Sequence, residues 1–143
     1  MKIKRENGLA GVDLVIAVIA IIAFSTVIVF LMYNNVMENI KLKRETLSMI
    51  YITQIFENVG IESYQNLPNG NYEDIGNNSY ASSIQNLIPV DMVDGYKVNL
   101  TITNQLENVE NNENIIKKIV VTLIYNINNK EYTCSMERMK IKE

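Results

Sequence analysis

The run Leu14–Tyr33 (LVIAVIAIIAFSTVIVFLMY) carries no charge and no proline. As a helix rising about 1.5 Å per residue it would be about 30 Å long, the thickness of a bilayer's hydrocarbon core. Before it stand MKIKRENG, with Lys2, Lys4 and Arg5 against Glu6, and then LAGVD, which ends on Asp13. An acid at the edge of hydrocarbon is costly unless something pairs with it, so Asp13 is a candidate functional residue. A secretory signal has an apolar core of roughly 7–15 residues followed by a small-residue cleavage site. This run is longer and ends in Phe30-Leu31-Met32-Tyr33. It reads as a transmembrane segment. Lys2, Lys4 and Arg5 favour a cytoplasmic N-terminus, while Lys41-Leu42-Lys43-Arg44 beyond the other end pulls the opposite way.

Of 143 residues, those after the membrane run suit one small domain outside the membrane. The net charge is −3 and the lysines are dispersed, so there is no basic stripe for nucleic acid. The chain has no histidine, which excludes Ser-His and Cys-His nucleophilic pairs and His-ligated zinc. Cys134 is the only cysteine, so no internal disulfide forms, and it reads as a small buried hydrophobe in a strand.

The apolar run continues into a helical pattern without a glycine or proline from Val36 to Val59. Val36, Ile40, Leu47, Ile50, Tyr51, Ile55 and Val59 recur at three- and four-residue spacing and predict one apolar face, widened by Met49, Ile52 and Phe56. Gly60 is placed to end the helix in a left-handed conformation. One helix over Leu9–Val59 would span about 76 Å. The stretch 61–94 reads as a connector. Pro68-Asn69-Gly70, Gly76-Asn77-Asn78 and Asp94-Gly95 mark turns, and Ser82 or Ser83 is placed to cap a short helix through Ile88.

The period then changes to two. Tyr96, Val98, Leu100 and Ile102 alternate with polar residues, a polar loop Asn104–Asn114 follows, and Ile119, Val121, Leu123, Tyr125 and Ile127 form one face of a second strand. Asn128-Asn129 suits a two-residue hairpin turn. In the last strand Tyr132, Cys134 and Met136 share one phase, with Met139 and Ile141 in the other. A bulge near Glu137-Arg138 would reconcile them. The fold class expected is α+β, a long N-terminal helix packed on a three-stranded antiparallel meander.

Residues 1–33 resemble the class III signal of type IV prepilins and pseudopilins. In that family a peptidase on the cytoplasmic membrane face cuts after a glycine, the new N-terminus is methylated, and an acid stands five places into the mature chain. Gly8 is that glycine here, Leu9 the methylated N-terminus and Asp13 the acid. Cutting after Gly11 would put Ile16 in the fifth place and break the pattern. The family usually has Glu at the acid and often Phe or Met at the new N-terminus. Asp13 and Leu9 in those places favour a minor subunit. The helix-and-sheet pattern farther along is similar to the family's head domain.

The resemblance implies a leader over 1–8, a membrane half-helix over 9–33 and a head domain over 34–143, made of an amphipathic helix 34–59, the connector 61–94 and the meander 95–142. It implies a single-pass protein of the cytoplasmic membrane, N-terminus inside and head outside, incorporated into a surface filament or pseudopilus. The expected partners are other pilin or pseudopilin subunits, the peptidase–methyltransferase and the membrane. No catalysis, cofactor, small-molecule substrate or nucleic-acid contact is expected. In assembly the Asp13 carboxylate would meet the Leu9 amine of a neighbouring chain, since two opposite charges in lipid are tolerated only when they meet. The competing reading is a bitopic protein with an uncleaved anchor and an extracytoplasmic binding or sensing domain. Glu107, Glu110 and Glu113, with Asp91 and Asp94, have calcium-type oxygens but no EF-hand spacing, and read as a solvated acidic loop. Asn77-Asn78-Ser79 and Asn99-Leu100-Thr101 match the glycosylation sequon, a common accidental match.

Overall fold

A computed structural model of the chain describes residues 3–92, 95–108 and 113–142, with the backbone alone for 3–10, 106–108 and 113–115. Helix α1 (Ile3–Ile61) is followed by a 3₁₀ turn (Tyr64–Asn66), strand β1 (Gly70–Tyr72), the one-turn helix α2 (Ser82–Gln85), and strands β2 (Tyr96–Asn108), β3 (Glu113–Ile127) and β4 (Lys130–Ile141). The chain divides into two compact units, Met1–Leu42 and Lys43–Glu143.

The sheet of the second unit is antiparallel with the order β1-β2-β3-β4. It has four strands, not three. The extra one comes from the connector, where Gly70, Asn71 and Tyr72 pair with Ile102, Thr101 and Leu100. Three residues are too few to show a period, so the pattern did not reveal it. Gly70 is needed there for close approach: a Cβ on it would lie 3.0 Å from the Tyr72 ring, which folds back so that its hydroxyl donates to the Pro68 carbonyl.

The core is where the alternating strands predict it. Tyr96, Val98, Leu100 and Ile102 of β2 and Ile119, Val121, Leu123, Tyr125 and Ile127 of β3 are buried. The helix covers them with Ser48, Tyr51, Ile52, Ile55, Phe56 and Val59. Leu67, Ile75, Ile84 and Leu87 close the core from the connector. Of the predicted helix face, Tyr51, Ile52, Ile55, Phe56 and Val59 are buried as expected, and the remainder is not. Ile50 is 47% exposed, and Val36, Ile40 and Met49 are also exposed, while Leu47 is half-buried. The rows 48/52/55/59 and 51/56 define the stripe, and 49 and 50 fall off it. Ser48 sits in the core because its hydroxyl donates back to the Arg44 carbonyl, 2.8 Å away.

The two hairpins differ from expectation in two places. The strands run through most of the predicted loop Asn104–Asn114, as β2 reaches Asn108 and β3 begins at Glu113, with register shifts between Asn104 and Glu107. The acids Asp94 and Glu110 of that reading lie outside the described residues, and so do the side chains of Glu107 and Glu113. No bulge occurs at Glu137-Arg138: β3 and β4 pair without a shift from Ile116↔Ile141 to Ile127↔Lys130. Met139 and Ile141 therefore stay on the outer face and exposed, and Arg138 and Lys140 take the inner positions. The turn between these strands is as predicted, with Asn128 and Asn129 at φ 50° and 61°.

Gly60 does not terminate the helix in a left-handed conformation. The helix continues to Ile61, and Gly95 is the one glycine with positive φ among the described residues. A Cβ on Gly60 would meet nothing within 4 Å. Gly60→Ala is therefore expected to stabilise the second unit by about 0.5–1 kcal/mol, the helix-propensity difference between the two residues. Thermal unfolding of the two proteins checks this, and a lower melting temperature for Gly60→Ala would show that the backbone there is left-handed after all. Helix α2 is shorter than predicted, and its N-cap is Ala81, with no side-chain cap.

Candidate functional site

The first unit consists of helix. From Gly11 onward its described side chains are almost all exposed, including Leu14, Ile19, Ile22, Phe24, Val29, Phe30 and Met32. Such a surface is unstable in water, because every one of these residues would gain by leaving it. Helix α1 contains, near its start, a segment long and apolar enough to cross a membrane. The one hydroxyl bond described inside the apolar run, Thr26 Oγ1 to the Ile22 carbonyl at 2.8 Å, is local, so this side chain is satisfied without a partner helix.

Asp13 is exposed on this helix and is its only charged side chain between Gly11 and Met37. Gly8 and Leu9 lie in the helical backbone, and Leu9 precedes Asp13 by four residues, one turn. The side chains of Gly8 and Leu9 fall outside the described residues. The Gly8–Leu9 peptide bond lies inside the helix, so any hydrolysis there would require the first turns to unwind. Glycine, the weakest helix former after proline, lowers that cost.

The second unit holds two groups of residues that the sequence pattern did not single out. One is an aromatic row. Tyr96, Tyr125 and Tyr132 lie side by side across three strands, and Tyr51 of the helix meets Tyr96 edge-on at 5.5 Å. Arg44 lies over the Tyr96 ring at 5.1 Å, and the Tyr96 hydroxyl donates to the Arg44 carbonyl. Arg44, the last residue of the basic run Lys41-Leu42-Lys43-Arg44, is therefore half-buried and committed to the fold. Cys134 is half-buried rather than buried, and burial followed by the nearby Glu45 carboxylate pushes its thiol above the usual range.

The other group surrounds the C-terminal end of helix α1. This helix has no basic residue in its last turn to meet its free carbonyls. The sheet supplies them. Lys140 Nζ donates to the carbonyls of Val59 at 2.6 Å, Gly60 at 3.2 Å and Glu62. Arg138 reaches the Phe56 carbonyl at 3.4 Å. Lys117, only 7% exposed, donates to the carbonyls of Tyr64 and Leu67 and lies 4.1 Å from the Tyr64 ring centre. Burial pushes the Lys117 ammonium below the usual lysine range. Positive groups at the negative end of a helix dipole are favourable, and here they also satisfy its orphan acceptors. Basic residues at inward positions of β3 and β4 were the signal for this, readable only once the register was known.

Among the described residues, no three His, Cys, Asp or Glu side chains come together to hold a metal ion. Of the two sequons, Asn99 is occupied in the fold, its Oδ1 accepting from the Asp74 backbone N–H at 2.9 Å, and Asn77 is tied by its amide to the Asp74 carboxylate. No family model matches the chain, and no curated protein or solved structure does either.

Proposed function

We propose that the chain is a prepilin-like structural subunit, cleaved between Gly8 and Leu9, methylated on Leu9, and incorporated as a minor component into a type IV pilus or a related pseudopilus. The observation that carries this reading is one uninterrupted helix. Its first part exposes an uncharged and mostly apolar surface behind Asp13, and its last part is the cover of an antiparallel sheet. An anchor alone requires no acid at the fifth position after a glycine, whereas a subunit that joins others through its helix does. In this role the N-terminus lies in the cytoplasm before cleavage and the sheet unit lies outside. The apolar helices pack together in the filament, the sheet units form its surface, and the protein carries out no catalysis itself. Its partners are other subunits, the peptidase–methyltransferase and the membrane.

The processing step gives the direct test. Mass spectrometry of the membrane fraction is expected to find a methylated Leu9 at the N-terminus, and Gly8→Val is expected to leave Met1–Gly8 attached. An intact Met1 in the wild-type protein would favour the uncleaved anchor, and a Gly8→Val protein that still begins at Leu9 would show that the cleavage site is elsewhere.

A further inference from the structure

Pro68, Asn69 and Gly70 lead from the 3₁₀ turn into β1, and the backbone bends at Asn69. We propose that Asn69 is a self-modification site of the folded chain. The Gly70 backbone nitrogen closes on the Asn69 side-chain carbonyl, and water opens the resulting succinimide to aspartate and isoaspartate.

The amide of Asn69 is free to react. Asn69 is exposed, lies outside every helix and strand, and has no hydrogen-bond partner among the described residues. Its neighbours are tied. The amides of Asn66, Asn77 and Asn78 donate to Glu62, to the Asp74 carboxylate and to the Glu73 carbonyl, and Asn71 accepts from Thr101.

The residue that follows is the one the reaction favours. Glycine has no Cβ to obstruct its backbone nitrogen. The fold itself requires glycine here, because a Cβ on Gly70 would lie 3.0 Å from the Tyr72 ring. The other Asn-Gly pair of the chain, Asn7-Gly8, lies in the backbone of α1, where both residues are fixed in helical torsions.

In the first step the Asn69 Cγ–NH₂ bond breaks, a bond from Cγ to the Gly70 nitrogen forms, and the Gly70 N–H proton leaves with ammonia. Water then adds to one of the two imide carbonyls. Attack at Cγ gives aspartate, which changes the charge alone. Attack at the backbone carbonyl gives isoaspartate, which routes the chain through the side chain and inserts a methylene. That insertion falls inside a closed loop, since the Tyr72 hydroxyl donates to the Pro68 carbonyl at 2.9 Å. β1 has three residues and stands at the edge of the sheet, so it is released from β2 while β2, β3 and β4 stay paired.

The test uses the purified full chain in detergent micelles, held folded at mildly alkaline pH with no other protein present. Peptide mass spectrometry and backbone amide exchange are the readouts. Loss of the amide is expected at Asn69 ahead of every other asparagine, with aspartate and isoaspartate both formed. Asn69→Gln, whose longer side chain has to close a larger ring, is expected to keep its amide. Asn69→Asp supplies the charge without the methylene and is expected to retain slow exchange in Gly70–Tyr72, whereas the isoaspartyl fraction is expected to lose it. In that fraction the Tyr72 hydroxyl, which burial pushes above its ordinary range, is expected to return to that range. The proposal is overturned if another asparagine converts first, if Asn69 keeps its amide in the folded chain and loses it only in urea, or if Asn69→Gln loses ammonia as fast. An isoaspartyl fraction that exchanges like the wild type overturns the release of β1.

Discussion

Truncating Ile55 to alanine is expected to destabilise the Lys43–Glu143 unit by about 2–5 kcal/mol, the cost of deleting a large aliphatic side chain from a packed core. Ile55 is 1% exposed, at the centre of the helix stripe that covers β2 and β3. The helix is continuous and cannot shift one residue without moving Ile52 and Val59, both also buried, so the cavity has little scope to collapse. Ile50→Ala is the control. Its side chain is about half in solvent and off the buried stripe, and its removal is expected to change stability by far less than that of Ile55, by about 0.5 kcal/mol. Urea unfolding of the full chain in detergent, followed by the near-ultraviolet signal of the buried tyrosines, reads both. Equal losses in the two variants would mean that the helix presents a different face.

Removing the charge of Asp13 is expected to abolish assembly while leaving insertion intact. On the proposed assembly, Asp13→Asn keeps size and polarity but removes the charge that would meet the Leu9 amine left by cleavage. An amine left without a counter-charge in hydrocarbon costs much more than the roughly 1.4 kcal/mol that corresponds to a factor of ten. The ratio of protein in sheared filaments to protein in membranes should therefore fall by about tenfold or more. A permanent anchor has no free amine one turn away and would be indifferent to the change. If wild type and Asp13→Asn reach filaments equally, the pairing mechanism fails. If neither reaches filaments while the machine is active, the anchored binding domain is the better account.

The parts of this fold that were legible in the sequence are those in which one local period governs several residues. Tyr96–Ile102 and Ile119–Ile127 alternate without interruption, and their buried phase was predicted correctly. Asn128-Asn129 declared its turn because asparagine tolerates positive φ at low cost. The errors arose where a long-range partner decides. Apolar pattern alone assigned Met139 and Ile141 to the core and required a bulge to put them there. In the structure the inner places belong to Arg138 and Lys140, because the helix end more than seventy residues earlier in the chain presents carbonyls that need donors. The helix face was read correctly at Tyr51, Ile52, Ile55, Phe56 and Val59 and misread at Met49 and Ile50, for a similar reason. Ile50 and Tyr51 have comparable apolar character, and only the position of the sheet selects between them. For the site, Gly8, Leu9 and Asp13 were visible as a spacing, but the role assigned to them is between molecules, so a single chain displays the residues and not the contact.

The order in which the elements leave the ribosome bears on how they fold, given the topology. Each strand of the sheet pairs with its sequence neighbour, so β2, β3 and β4 can zip one after another as they emerge, with short loops to close. The helix stripe from Ser48 to Val59 is synthesised long before the residues that cover it. Until Tyr125 has appeared, the stripe has nothing to cover its apolar side chains. A chain stalled before its final hairpin therefore exposes a sticky helix stripe, and quality control acting on such chains would recognise that stripe rather than the sheet.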